Sequence, residues 1–219
     1  MVKIERSFPA PSSLKTEALK ASGKYNRADV IAQLRKDFND KCYICEMKDL
    51  QDPEVEHLLP HENGKYPERK FDWNNLFWAC GHCNNIKNQK KYNIGIINCC
   101  IEDPEELIFF RLIDGNTEIV PKDNTNSNVS LTSLLVQEVF NLKNTGMRIY
   151  KSELRLQDLN KEMNLLYDAL EELKTKPNSK VTMRKLKALL RRESKFAAFK
   201  RNYIRENTKD FSELIPYIQ

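Results

Sequence analysis

Apolar residues recur at helical spacing in four stretches of the chain and flank a turn signal in a fifth. Val30, Ile31, Leu34 and Phe38 mark one face of a short amphipathic helix over 27–38. Helical patterns also run from Leu131 to Leu142, Met147 to Lys174 and Val181 to Glu206. Pro177 separates the last two, and Pro216 limits any final helix. Within the second of these, Leu156, Leu159, Met163, Leu166, Leu170 and Leu173 alternate steps of three and four, the seam of a heptad helix. The apolar runs Leu107 to Ile113 and Thr117 to Val120 flank Asp114-Gly115-Asn116 and predict a β-hairpin, followed by a polar loop over Asp123 to Asn128. At the start, Pro9, Pro11, several serines and Gly23 argue against a packed element, so residues 1–24 are expected to be an arm.

Between the first helix and the hairpin the pattern changes. Residues 41–92 hold two Cys-x-x-Cys pairs and all three histidines and both tryptophans of the 219-residue chain. The expected organisation is therefore α+β: the arm, a cysteine- and histidine-rich module over 25–100, then a hairpin and a mostly helical region over 101–219. Trp73, Phe77 and Trp78 are expected in the core.

Composition narrows the setting. No apolar run approaches the roughly 20 residues of a membrane-spanning helix, and the start does not resemble a secretory signal, so a cytoplasmic protein without a membrane partner is expected. In a reducing compartment Cys42/Cys45 and Cys80/Cys83 read as metal ligands rather than disulfides. Four thiolates from two tight turns fill the tetrahedral shell of zinc, and a closed shell leaves no position for water, so this zinc would be structural. A thioredoxin-like redox pair would require a βαβ context that surrounds neither pair. Cys99 and Cys100 fall outside this pattern and are expected to be small buried residues.

Lys and Arg outnumber Asp and Glu by 36 to 31. The excess is concentrated over 176–206, where eleven basic residues face only Glu193 and Glu206. Arg184, Lys187 and Arg191 are the candidates from this stretch for contacting DNA phosphates. The opposing expectation is that the same charges pair with the acidic residues of the heptad helix, among them Glu153, Asp158, Glu162 and Asp168.

The spacing between the cysteine pairs carries further chemistry. Val55-Glu56-His57-Leu58-Leu59-Pro60 lies between them, Asn75-Leu76 precedes the second pair, and Cys83-Asn84-Asn85-Ile86-Lys87 closes it. This ordered string resembles the HNH (ββα-metal) endonucleases. The resemblance implies two strands and a helix around one divalent ion, with His57 as general base and Glu56 and Asn84 as metal ligands. It also implies that Asn75 orients the loop carrying the base. Oxygen donors of this kind favour magnesium or manganese, and a neutral imidazole is suited to take a proton from water. Lys87, three residues after Asn84, should share its helical face and reach a phosphate. His82, inside the second cysteine turn, is expected at the surface or facing phosphate. Pro60 separates His57 from His61 and excludes a paired-histidine helix.

A wider similarity, through Lys3-Ile4-Glu5-Arg6-Ser7, Asp103-Pro104-Glu105-Glu106, Phe140-Asn141-Leu142 and Arg148, is to PtuB-like HNH subunits of Septu anti-phage defence. It implies cleavage of double-stranded DNA in concert with an ABC-type ATPase partner. The alternative is a non-catalytic, zinc-stabilised module for nucleic-acid binding or assembly.

Overall fold

The computed structural model describes residues 1–141 and 146–218. Two short helices open the chain, α1 (Ser12–Ala18) and α2 (Ala28–Asp37). Strand β1 (Pro53–His57) pairs antiparallel with β2 (Leu76–Cys80), in a register that sets Glu56 opposite Phe77 and His57 opposite Leu76. The excursion between the strands carries the single-turn helix α3 (Pro67–Lys70), and α4 (Gly81–Lys87) leaves β2 directly to pack on both strands. Strand, strand and helix thus form a compact ββα unit. β2 is wholly buried, which its unbroken apolar run Leu76-Phe77-Trp78-Ala79 demands.

Beyond it come the single-turn helix α5 (Pro104–Leu107) and the hairpin β3 (Ile108–Ile113) and β4 (Asn116–Pro121). The Asp114-Gly115 turn has positive φ at both residues, as a tight two-residue hairpin loop requires. Helices α6 (Ser127–Asn141), α7 (Gly146–Thr175), α8 (Lys180–Leu190) and α9 (Ala197–Glu206) complete the chain, with a final 3-10 turn over Ser212–Tyr217 that contains Pro216. α6 starts inside the expected polar loop, and Leu142, the expected end of that helix, lies outside the described residues. The architecture is mixed helix and sheet, as the pattern predicts. Among the described residues no helix is long and apolar enough to cross a membrane.

The structure corrects three expectations. The first 24 residues are not a loose arm: Met1, Val2, Ile4 and Leu14 are buried, and the Ile4 amide donates to the Cys99 carbonyl at 2.9 Å. The prolines keep the segment irregular, yet its apolar side chains still have surface to bury. Arg6 fastens it, stacking over Trp73 and Phe77 while donating to the Trp73 and Leu76 carbonyls at 2.7 and 2.8 Å.

Second, the helix expected over Val181 to Glu206 is broken at 191–196. No proline or glycine marks the break. Phe196, fully buried, takes a left-handed backbone with φ 47°, and the Glu46 carboxylate accepts from the Ala197 and Ala198 amides at the start of α9. A distant carboxylate therefore caps a helix whose own sequence offers no capping side chain.

Third, the buried face of α7 continues from Leu159 through Arg155 and Ser152 rather than through Leu156, which is only partly buried. One hydrophobic cluster joins residues on both sides of the boundary expected at residue 100.

Candidate functional site

The two Cys-x-x-Cys turns close on each other. All four sulfurs lie within 4.8 Å of one another, and Cys45 Sγ is 3.9 Å from Cys80 Sγ. Zinc–sulfur bonds of about 2.3 Å in a tetrahedron set sulfurs about 3.8 Å apart, so the cluster fits that ion. All four cysteines are buried, which would be costly for thiolates without a cation. Arg155 supplies a further positive charge, its Nη2 donating to Cys80 Sγ at 3.1 Å. Burial pulls the guanidinium toward neutrality, but the surrounding thiolates outweigh it and hold Arg155 charged. Sequence reasoning missed Arg155. The available signal was a charged residue one turn before Leu159 on an otherwise apolar helix face.

His82 is not at the surface. It is 3 % exposed, and its Nε2 meets the Val139 carbonyl at 3.1 Å, which ties α4 to α6. Burial holds its pKa down to about 4. The expectation treated its turn as exposed, whereas α6 and α7 cover it.

On the other side of the ββα unit Glu56, His57, Asn84 and Lys87 line one polar cleft of about 290 Å³. β1 brings Glu56 and His57, and α4 brings Asn84 and Lys87 one turn apart. His57 Nε2 lies 3.1 Å from the Lys70 carbonyl, which can only accept, so Nε2 carries the proton and Nδ1 keeps its lone pair. Among the described residues Nδ1 has no partner. Burial lowers the His57 pKa to about 4, so the ring is neutral at pH 7. Tyr25, which the sequence did not single out, packs edge-on against it at 4.5 Å between ring centres.

Asn75 holds the loop after β1. Its side-chain oxygen accepts from the Leu59 amide at 2.8 Å, while its amide nitrogen donates to the Leu59 and Arg69 carbonyls at 2.9 and 3.0 Å. These bonds consume the side chain, which makes Asn75 a positioning residue.

Glu56 is 3 % exposed, with one oxygen 2.5 Å from Lys87 Nζ and the other accepting from Tyr43 Oη at 2.7 Å. Burial pushes its carboxyl above the ordinary value, and Lys87 and Tyr43 offset this only in part. Lys87 is thus not free to reach a phosphate as expected. It shares a helical face with Asn84, but a buried carboxylate requires a countercharge, and its ammonium also donates to the His57 carbonyl at 3.0 Å. Asn84 donates through its amide nitrogen to the exposed Glu54, leaving its oxygen available. The Asn84 oxygen and the remaining lone pairs of Glu56 form an oxygen donor set compatible with one hydrated magnesium or manganese ion.

Arg184, Lys187 and Arg191 lie apart from this cleft, at α8, which packs on α7, α9 and the final turn. Arg184 and Arg191 are exposed, and Lys187 Nζ sits 4.3 Å over the Tyr217 ring. The basic stretch divides in two. Arg192, Lys195, Lys200, Arg201 and Arg205 pair with Asp103, Asp158, Glu162 and Glu105, as the structural expectation held for the acids of α7.

Comparison with protein-family models and with curated proteins finds no match for the chain.

Proposed function

We propose that the protein is a metal-dependent endonuclease that hydrolyses phosphodiester bonds of DNA at the cleft between β1 and α4. The observation that carries this reading is the meeting of a neutral imidazole, its Nδ1 lone pair unspent, with a carboxylate and an amide oxygen in one polar cleft. Phosphodiester hydrolysis needs a base to take the proton from water and positive charge on the phosphate. His57 is the base, held by the Lys70 carbonyl and by the Asn75-braced loop. Glu56 and Asn84 are the residues that would hold magnesium or manganese, which when bound supplies positive charge to the phosphate oxygens. The cysteine cluster, with zinc, fixes the start of α4 against β1 and so sets the spacing of the cleft.

The resemblance of the Glu56-His57 to Lys87 string to HNH nucleases supports the same chemistry, with double-stranded DNA as substrate. The wider similarity supports a role as effector nuclease in anti-phage defence beside an ABC-type ATPase, in the cytoplasm. The exposed charges of α8 are candidates for contacts with DNA outside the cleft.

The test is plasmid cleavage by the full chain with added magnesium or manganese, alone and with the co-expressed ATPase. His57→Ala is expected to lower the rate by about 10²–10⁴-fold while the variant still unfolds cooperatively and keeps one bound zinc. The buried Glu56–Lys87 pair favours a second reading, a zinc-stabilised binding module whose acid is satisfied internally. Under that reading His57→Ala leaves DNA binding, the only activity, intact.

A further inference from the structure

His61 is a second imidazole in the cleft wall, and the scheme above leaves it unused. Its ring lies 4.9 Å from that of His57, nearly perpendicular at 73°, and 6.4 Å from Tyr25. It lines the same cleft as Glu56, His57 and Asn84. Its Nδ1 is sealed from solvent and has no hydrogen-bond partner among the described residues.

That sealed nitrogen decides the ring's tautomer. A buried N–H without an acceptor is rarer than an under-used lone pair, so the neutral ring carries its proton on Nε2. The two imidazoles are thus complementary: His57 has spent its N–H on the Lys70 carbonyl and offers a lone pair, whereas His61 has buried its lone pair and offers an N–H.

The backbone holds His61 in place. Its carbonyl accepts from the Gly64 and Tyr66 amides at 3.0 and 3.1 Å, and the next three residues, Glu62, Asn63 and Gly64, all take positive φ. Two of them are not glycine. Left-handed backbone at the two non-glycine residues is strained, and clusters of this kind mark sites where geometry matters more than stability.

Resting on the nuclease reading, we propose that His61 is the general acid of the reaction, donating through Nε2 to the departing 3′ oxygen. Water oxygen bonds to phosphorus, and its proton passes to His57 Nδ1. The phosphorus–O3′ bond breaks with its electron pair on O3′, which takes the Nε2 proton of the neutral His61 ring. His61 is reprotonated and His57 deprotonated by solvent. The charged and titratable groups around His61 are His57 and Glu56 on β1, Tyr25 before α2, Glu62 beside it in the chain, and Lys87 on α4.

The experiment compares two substrates with the full chain. One is ordinary DNA, and the other is thymidine 5′-(p-nitrophenyl phosphate), whose phenolate leaves without a proton. His61→Gln is expected to slow DNA cleavage by about 10²–10⁴-fold and to leave the activated diester within about threefold of wild type. Activity on the second substrate also certifies that the variant is folded. His57→Ala should lose both. Equal losses of His61→Gln on the two substrates, no loss on DNA, or restoration of its DNA cleavage by saturating manganese each overturn the proposal, the last by making His61 a metal ligand. A wild-type protein that cuts no DNA with either metal removes the nuclease reading itself, a result distinct from all three.

Discussion

Glu46 and Glu56 are both buried, both paired with a buried lysine, and placed at opposite ends of the excursion from the first cysteine turn to β1. Glu46 receives Lys41 at 2.8 Å, the Met1 amine at 2.9 Å and the Ala197 and Ala198 amides at 2.9 and 3.2 Å. Burial raises its pKa, but Lys41 and the Met1 amine overcome that and hold it at about 2. Among the described residues Glu56 receives only Lys87 and Tyr43; it opens onto a cleft and stays above the ordinary carboxylate range. The number of donors separates the two roles. A carboxylate with its lone pairs used is a structural joint, whereas one with lone pairs remaining beside a cleft can still accept a cation.

The comparison breaks hardest at Glu46. Glu46→Gln strands Lys41 and uncaps α9, and it is expected to cost about 3–5 kcal/mol in urea unfolding. Glu56→Gln strands Lys87 and is expected to cost about 3 kcal/mol, together with loss of metal-dependent cleavage. If the cost comes from the stranded ammonium, Glu56→Gln with Lys87→Met returns to within about 1 kcal/mol of wild type while remaining inactive. A double variant no more stable than Glu56→Gln would show that Glu56 is a joint like Glu46.

Arg155→Met removes a charged hydrogen bond to Cys80, with an expected cost of about 1.5–3 kcal/mol and faster zinc loss to a chelator, read by a colorimetric zinc indicator.

The pH dependence sharpens the contrast more gently. Glu46, with its folded pKa depressed from 4.5 to about 2, contributes stability that is full above pH 4.5 and is lost as pH falls toward 2. His57 and His82, both depressed from 6.5 to about 4, contribute stability that is full above pH 6.5 and is lost as pH falls toward 4. Glu56 runs the other way: with a raised folded pKa, its contribution falls as pH rises above 4.5. Urea midpoints across pH 3–7 should therefore fall on acidification in two windows, with His82→Gln flattening the upper one and Glu46→Gln the lower.

The smallest expected effect lies on α8. Replacing Arg184 or Arg191 by Ala should leave stability unchanged and lower the slope of log affinity for DNA against log salt by about one each. An unchanged slope would remove α8 from the DNA surface.

The parts of this molecule legible in the sequence are those set by short-range spacing. Two residues between cysteines place two sulfurs in one turn, an unbroken apolar run buries β2, and Asp114-Gly115 reverses the hairpin. Asn75 was legible through its place in an ordered string. The misplaced elements share another cause. His82 and Lys87 sit in local contexts that read as exposed, and both are buried because something remote in sequence covers or attracts them: α6 with α7 for His82, Glu56 for Lys87. The break at 191–196 has no proline or glycine to mark it, and the carboxylate that caps the helix restarting at α9 belongs to Glu46, about 150 positions away. His61 was set aside because Pro60 rules out a shared helix with His57, yet the turn that follows brings the two rings together by another route.

By itself the sequence determined the paired cysteine turns and most of the local elements, because ligand type, periodicity and turn residues act over a few positions. Tertiary structure alone decided which charges are neutralised, which nitrogen of each histidine is free and which basic residues face solvent. Those outcomes depend on what is buried beside each group, and a buried charge takes whatever partner the packing brings within reach.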